Sequence, residues 1–191
     1  MSETLEIEFK TLLTKKEYQR LIDYYQLSDD LFHVQTNVYF DTPDLQLRKK
    51  NCGLRIRLLD DHAEYTLKTP VQEGKLETTD TYTPTQIHMI LEQQTLPLSG
   101  AVFQKLTELS VDPTQLIRLG ELTTKRAELS IDEGLLAIDE SWGQQLHDYE
   151  LELEVADAKQ GEFAFERLLK HFALPYRPAK NKIQRMFEAK N

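Results

Sequence analysis

Charge falls on every second residue in several separate stretches of this chain, and that period constrains the fold more than any other feature. In LEIEFK, residues 5 to 10, Glu6, Glu8 and Lys10 alternate with Leu5, Ile7 and Phe9. GLRIRLL at 53 to 59 sets Arg55 and Arg57 on one face, and AEYTLKT at 63 to 69 does the same with Thr66 and Lys68. In YELELEV at 149 to 155, Glu150, Glu152 and Glu154 oppose Leu151, Leu153 and Val155. Successive strand residues point to opposite sides of a sheet, so each segment has one apolar and one charged face. For a single strand the ordinary meaning is a sheet half open to water. Taken together the strands ask for more. Like charges side by side on one face cost stability unless they are paired or bind a ligand. Carboxylates in one place and bases in another suit a polyanion held by cations, together with hard divalent metals on oxygen ligands.

The rest of the chain is consistent with an α+β fold of mostly antiparallel sheet, with about eight strands. Thr14 and Glu17 form a capping box ahead of Tyr18, Leu21, Ile22 and Tyr25, which recur at helical spacing. Thr83, Pro84 and Gln86 announce a second helix carrying Ile87, Ile90 and Leu91, and a weaker helical stretch follows near Val102, Leu106 and Leu109. Phe165, Leu168, Leu169 and Phe172 share a face of a last strong helix. Further strands are read at FHVQTNVYF, KLETTDTY, GELTTKRAELSI, LLAIDES and HDYELELEVAD. No repeat or Gly/Ser linker divides the chain, so residues 1–191 are read as a single domain.

Composition narrows the function classes. The chain is 40% hydrophobic and 29% charged, with no apolar run long enough for a membrane helix and no signal-like N-terminus, so a cytoplasmic, non-membrane protein is expected. A net charge of −9 argues against nucleic acid as a partner. Cys52 is the single cysteine and is read as structural. The five histidines show no ligand spacing, which argues against zinc. No Gly-rich phosphate loop with Lys-Ser/Thr is present, so side chains would have to bind any phosphate.

These residues resemble the CYTH, or triphosphate tunnel metalloenzyme, superfamily. Its signature is a Glu-x-Glu-x-Lys strand near the N-terminus, here Glu6, Glu8 and Lys10, followed in order by YFDT (39–42), LRIR (54–57), LKTP (67–70), KRAE (125–128), AIDE (137–140), ELELEV (150–155) and NKIQR (181–185). The resemblance implies eight antiparallel strands closed into a tunnel-like barrel, helices outside and charged faces inward. It implies a divalent-metal-dependent triphosphatase using Mg²⁺ or Mn²⁺. Inorganic tripolyphosphate is the first-ranked substrate. Thiamine triphosphatase, adenylate cyclase and a non-catalytic polyphosphate or nucleotide binder are the alternatives, and the protein would act as a monomer or homodimer.

Carried over by position, the resemblance makes Glu6, Glu8, Asp139, Glu150, Glu152 and Glu154 metal ligands, with the glutamate pair of the 150–154 strand left open and Glu152 common to either choice. Lys10, Arg55, Arg57, Lys68, Lys182 and Arg185 become phosphate binders, with Arg177 a further helper. From TTKRAEL a further phosphate binder is expected: strand alternation favours Arg126 on the polar face, with Lys125 kept as the other possibility. Lys10, Glu8 and Glu152 are the residues expected to bear most directly on the reaction.

Overall fold

The computed structural model describes residues 2–93, 95–143 and 145–189. In chain order its elements are β1 (Ser2–Leu13), α1 (Lys15–Tyr25), β2 (Phe32–Asp41), α2 (Gln46–Lys49), β3 (Gly53–Leu58), β4 (Ala63–Pro70), β5 (Lys75–Tyr82), α3 (Pro84–Gln93), α4 (Ala101–Glu108), β6 (Ile117–Ile131), β7 (Gly134–Gly143), β8 (Leu146–Val155), α5 (Ala158–His171) and α6 (Lys182–Glu188). The strands close into a barrel in the order β1-β5-β4-β3-β2-β6-β7-β8. This is the expected α+β barrel. Two short helices were not legible in the sequence: α2, and α6, which begins at the lysine of NKIQR.

By contacts the chain divides into two compact units, residues 1–5 with 35–121, and residues 6–34 with 122–191. In the first unit, Val38 and Phe40 of β2, Leu54 and Ile56 of β3, and Tyr65 and Leu67 of β4 are buried. They pack with Leu47 of α2, Ile87 of α3, and Val102 and Leu106 of α4. Burying each such side chain contributes about 1.5–3 kcal/mol. Alternation then leaves Asn37, Arg55, Arg57, Thr66 and Lys68 on the opposite face of the same strands.

Two aspartates fix helices in this unit. The Asp41 carboxylate of YFDT accepts backbone N–H bonds from Thr42 (2.7 Å), Leu47 (2.9 Å) and Arg48 (3.0 Å), which satisfies the start of α2. Asp80 of β5 accepts from Ala101 (3.1 Å) and Val102 (3.0 Å) at the start of α4. Gly100, with φ +98°, precedes that helix and offers no capping side chain. A Cβ there would lie 2.5 Å from Asp80 Oδ2, so the absence of a side chain lets the carboxylate reach the helix.

The second unit is built the same way. Tyr18 and Leu21 of α1 and Ala164, Phe165 and Leu169 of α5 pack with Ala127, Leu136, Ile138, Tyr149, Leu151 and Leu153 from β6, β7 and β8. The capping box starts α1: Glu17 N donates to Thr14 Oγ1 (3.3 Å) and Thr14 N to Glu17 Oε2 (2.7 Å). Gly161 lets α5 approach the sheet, since a Cβ would meet Val155 Cγ2 at 2.4 Å and Phe9 Cε2 at 2.8 Å. The segment before α6 is tied to β1, with Leu12 N donating to Arg177 O (3.1 Å) and Arg177 N to Thr11 Oγ1 (2.9 Å).

Candidate active site

Register places the charged residues of the second unit side by side. In the β1/β8 pair Lys10 lies opposite Glu152 and Glu8 opposite Glu154. In β7/β8 Asp139 lies opposite Glu150, and in β6/β7 Arg126 lies opposite Asp139. The apolar side of these strands is occupied by the core, so the acids and bases gather on the other side. Asp139 and Glu150 are 0% exposed and Glu152 is 7% exposed, and their carboxylate oxygens lie within 4.8 Å of one another. Such an all-oxygen, anionic donor set suits a hard divalent cation. Glu150 and Glu152 are the glutamates of β8 that enter this cluster, whereas Glu154 is exposed at the strand end.

Buried carboxylates require counter-charges, and Arg126, Lys182, Arg185 and Lys10 supply them. Arg126 grips Asp139 with Nε–Oδ1 at 2.7 Å and Nη2–Oδ2 at 2.6 Å, and also contacts Glu152. The Lys182 ammonium, on the first residue of α6, lies 2.8 Å from Asp139 Oδ2, 2.9 Å from Glu150 Oε2 and 2.5 Å from Glu152 Oε1. Arg185, one helical turn on, bonds Glu150 Oε2 (2.7 Å) and Asp148 Oδ2 (2.7 Å). Lys10 pairs with Glu8 at 2.6 Å.

The protonation states follow from these contacts. Burial drives the Glu152 pKa upward, but Lys182, Arg126 and Lys10 outweigh it and hold the carboxyl well below its ordinary value. Asp139 is lowered in the same way, burial being overcome by Arg126 and Lys182. For Lys182, burial favours the neutral amine, yet Asp139, Glu152 and Glu150 raise its pKa well above that of a free lysine. At Lys10, Glu8 and Glu152 likewise overcome burial and raise the pKa. Asp139, Glu152, Lys182 and Lys10 are therefore ionised at neutral pH.

The first unit carries a cationic face. Arg55 Nη2 lies 3.4 Å from Glu77 Oε1, and Lys68 Nζ lies 2.5 Å from the same oxygen. Arg57 Nε donates to Asn37 Oδ1 (3.1 Å), and its Nη1 is 3.8 Å from Glu64. Burial acts to raise the Glu77 pKa, but Lys68 and Arg55 lower it overall. Arg55 Nε is buried with no hydrogen-bond partner among the described residues. A buried donor left unmet costs about 1–3 kcal/mol, so this face has an open place for an acceptor.

Several residues singled out in the sequence lie elsewhere. Lys125 points to the other side of β6, where Nζ pairs with Asp29 at 2.8 Å and sits 4.5 Å from the centre of the Phe32 ring. Arg177 forms a two-pronged pair with Glu17 of the α1 capping box, at 2.8 and 3.1 Å. Glu6 is half-buried on the charged side of β1. Sequence reasoning missed Glu77 and Asp148. Glu77 had a usable signal: a short turn between β4 and β5 pairs Lys68 directly with Glu77. Asp148 could have been found as the same-face neighbour of Glu150.

Comparisons with known proteins bear on the family and the fold. The family model described as CYTH domain matches residues 4–187. The chain is 39% identical, over 191 residues, to the protein named "Putative triphosphatase YjbK" of Bacillus subtilis (strain 168), a match covering 100% of this chain and 98% of that one. It is similar to the crystal structure of bh2851 from Bacillus halodurans, named a "putative adenylate cyclase", with 38% identity, a TM-score of 0.93, and coverage of 98% of this chain and 100% of the other. HpAC1 from Hippeastrum shares the fold, at 24% identity and a TM-score of 0.78, with 98% of this chain and 97% of that chain covered.

Proposed function

Because the chain belongs to the CYTH domain family, we propose that it is a divalent-metal-dependent triphosphatase that removes the terminal phosphate from a triphosphate, inorganic tripolyphosphate first among candidates. The observation that carries this reading is the buried trio Asp139, Glu150 and Glu152, whose oxygens lie within 4.8 Å of one another, in a chain that also keeps a cationic strand face. The name of the B. subtilis relative supports it. We take residues 1–191 as one functional domain.

In this reading Asp139, Glu150 and Glu152, with Glu6, Glu8 and Glu154 as further candidates, hold the ion. Mg²⁺ or Mn²⁺ supplies neutralisation of phosphate oxygens and acidifies bound water. Arg55 and Arg57 offer guanidinium forks that match paired phosphate oxygens, and Arg55 Nε is a donor with an unmet bond. Lys68 in the first unit, and Lys10 and Lys182 in the second, offer point charges suited to phosphate oxygens. Arg126 and Arg185 stay on the carboxylates and fix their orientation. Held in place before the reaction, these charges stabilise the negative charge spread over the transferring phosphoryl group.

The name of the B. halodurans relative keeps a second reading open, in which a ribose hydroxyl attacks the α-phosphate of ATP. One experiment separates them: tripolyphosphate, thiamine triphosphate and ATP are each incubated with Mg²⁺ or Mn²⁺, and orthophosphate and cyclic AMP are both measured. Orthophosphate release, fastest from tripolyphosphate and lost in Glu152→Gln, is expected. Cyclic AMP as the main product would replace the hydrolase reading, and full activity in Glu152→Gln would remove the carboxylate trio from the site.

A further inference from the structure

A lysine ammonium is a compact point charge, and that of Lys182 is surrounded by three acids. Its Nζ donates to Glu152 Oε1 at 2.5 Å and lies 2.8 Å from Asp139 Oδ2 and 2.9 Å from Glu150 Oε2, with the side chain 14% exposed. Those three acids are the same ones whose oxygens can share a cation. The ammonium thus lies among the carboxylate trio, and in that position its charge is already engaged by all three acids. Oxygen ligands close to about 2.0–2.1 Å around Mg²⁺, so the three oxygens would have to draw in by roughly 0.4–0.9 Å from their distances to the nitrogen once it has left.

Charge leads to the same conclusion. The three carboxylates here meet Arg126, Lys182 and Arg185, the last shared with Asp148, while Lys10, paired with Glu8, lies opposite Glu152. Adding a divalent ion while the ammonium stays would leave an uncompensated excess of positive charge in a buried place, which is strongly unfavourable. Withdrawing the ammonium without a replacement would leave the trio under-neutralised. Arg126 is locked by two bonds to Asp139, and Arg185 is locked between Asp148 and Glu150. Lys182 is the member of the set with a flexible four-carbon stem and no planar fork to hold it.

We propose that Lys182 is the internal counter-ion of the metal site, displaced when a divalent cation enters, and that this exchange frees its ammonium for the triphosphate. Metal and substrate then bind cooperatively, because one side chain can serve the carboxylates or the phosphates and not both. By linkage the effect is reciprocal: the metal improves triphosphate affinity by the same factor as the triphosphate improves metal affinity. The inference rests on the triphosphatase reading for the destination of the ammonium, but its first step concerns the metal alone.

The test uses Mn²⁺ without substrate. Its affinity is measured by the paramagnetic resonance of free Mn²⁺ for the wild type, Lys182→Met and Lys182→Arg. Lys182→Met is expected to bind Mn²⁺ at least ~10-fold more tightly than wild type, and Lys182→Arg to stay weak because the charge remains. Equal or weaker binding by Lys182→Met overturns the proposal. A second measurement needs no variant. Acetylation of wild-type Lys182 by an amine-reactive reagent, read by peptide mass spectrometry, is expected to rise several-fold on adding Mn²⁺, while Lys49, 66% exposed, serves as the unchanged reference. Labelling that does not respond to Mn²⁺ overturns it as well. Tripolyphosphate hydrolysis is assayed on the same wild-type sample. Hydrolysis with unaltered labelling sinks the counter-ion role and leaves the triphosphatase standing, whereas Mn²⁺-dependent labelling without hydrolysis supports the exchange and strikes the triphosphatase reading alone.

Discussion

Replacing Asp80 by alanine should cost the protein stability and leave its chemistry intact, although Asp80 is a buried acid on the strand that also carries Glu77. Alternation separates the two: Glu77 and Thr79 lie with the charged face, and Asp80 lies on the helix side. Its carboxylate is the acceptor for Ala101 N and Val102 N, at 3.1 and 3.0 Å. Both donating residues are buried, at 5% and 0% exposure, so water cannot readily take over. Each charged hydrogen bond is worth about 1.5–3 kcal/mol, and lost caps cost about 0.5–2 kcal/mol, so a total near 3 kcal/mol is expected. For a chain of 191 residues, each kcal/mol moves the melting temperature by about 2–4 °C. Asp80→Ala should therefore melt roughly 6–12 °C lower by circular dichroism, and Asp80→Asn, which keeps one acceptor, about half as much lower. Triphosphate hydrolysis at 20 °C should stay within about twofold of wild type, because removing a cap away from the charged face takes away no transition-state contact. A fall of less than about 2 °C would refute the energetic argument. An unchanged melt with activity down tenfold would show that Asp80 belongs to the chemistry.

Three further outcomes follow from the geometry. Lys125→Ala should leave kcat/KM for tripolyphosphate within about twofold of wild type, since Lys125 is engaged with Asp29 and the Phe32 ring; a tenfold loss would return it to the site. Glu77→Gln removes the carboxylate shared by Arg55 and Lys68 and adds one net positive charge to that face, so kcat/KM should rise at low ionic strength and fall more steeply with salt; a raised KM at all salt concentrations would show instead that Glu77 aligns the two cations. Glu152 has a folded-state pKa below its ordinary value of 4.5, so the unfolded chain binds its proton more tightly. Its stabilisation is complete above about pH 4.5 and is lost as pH falls through the depressed value. Melting curves from pH 6 down to pH 2 should show that loss in the wild type and a flatter profile in Glu152→Gln, and parallel profiles would refute it.

Much of this molecule was visible in the period of its side chains. The alternation in LEIEFK and YELELEV placed Glu8, Lys10, Glu150 and Glu152 on one side, and the boxes Thr14/Glu17 and Thr83/Gln86 are formed as hydrogen-bonded caps. The parity argument for Arg126 over Lys125 matches the sides on which the two residues lie. What stayed hidden depends on contacts distant in sequence. Asp80 becomes a cap only because a helix begins 21 residues later, and Asp41 only because the chain folds back 6 and 7 residues on. The α6 helix has too few residues to show an apolar stripe, and its place is set by ion pairs of Lys182 and Arg185 with carboxylates on β7 and β8. Glu77 was legible in principle, but only to a reader who already had the β4/β5 register.

The acidic trio makes this unit depend on its last helix. Lys182 and Arg185 of α6 supply two of the cations that balance Asp139, Glu150 and Glu152. Without them β7 and β8 would bury like charges against one another, which disfavours closing that part of the sheet. A chain cut before residue 182 would keep every residue these strands need for pairing yet lose much of the charge balance that lets them close.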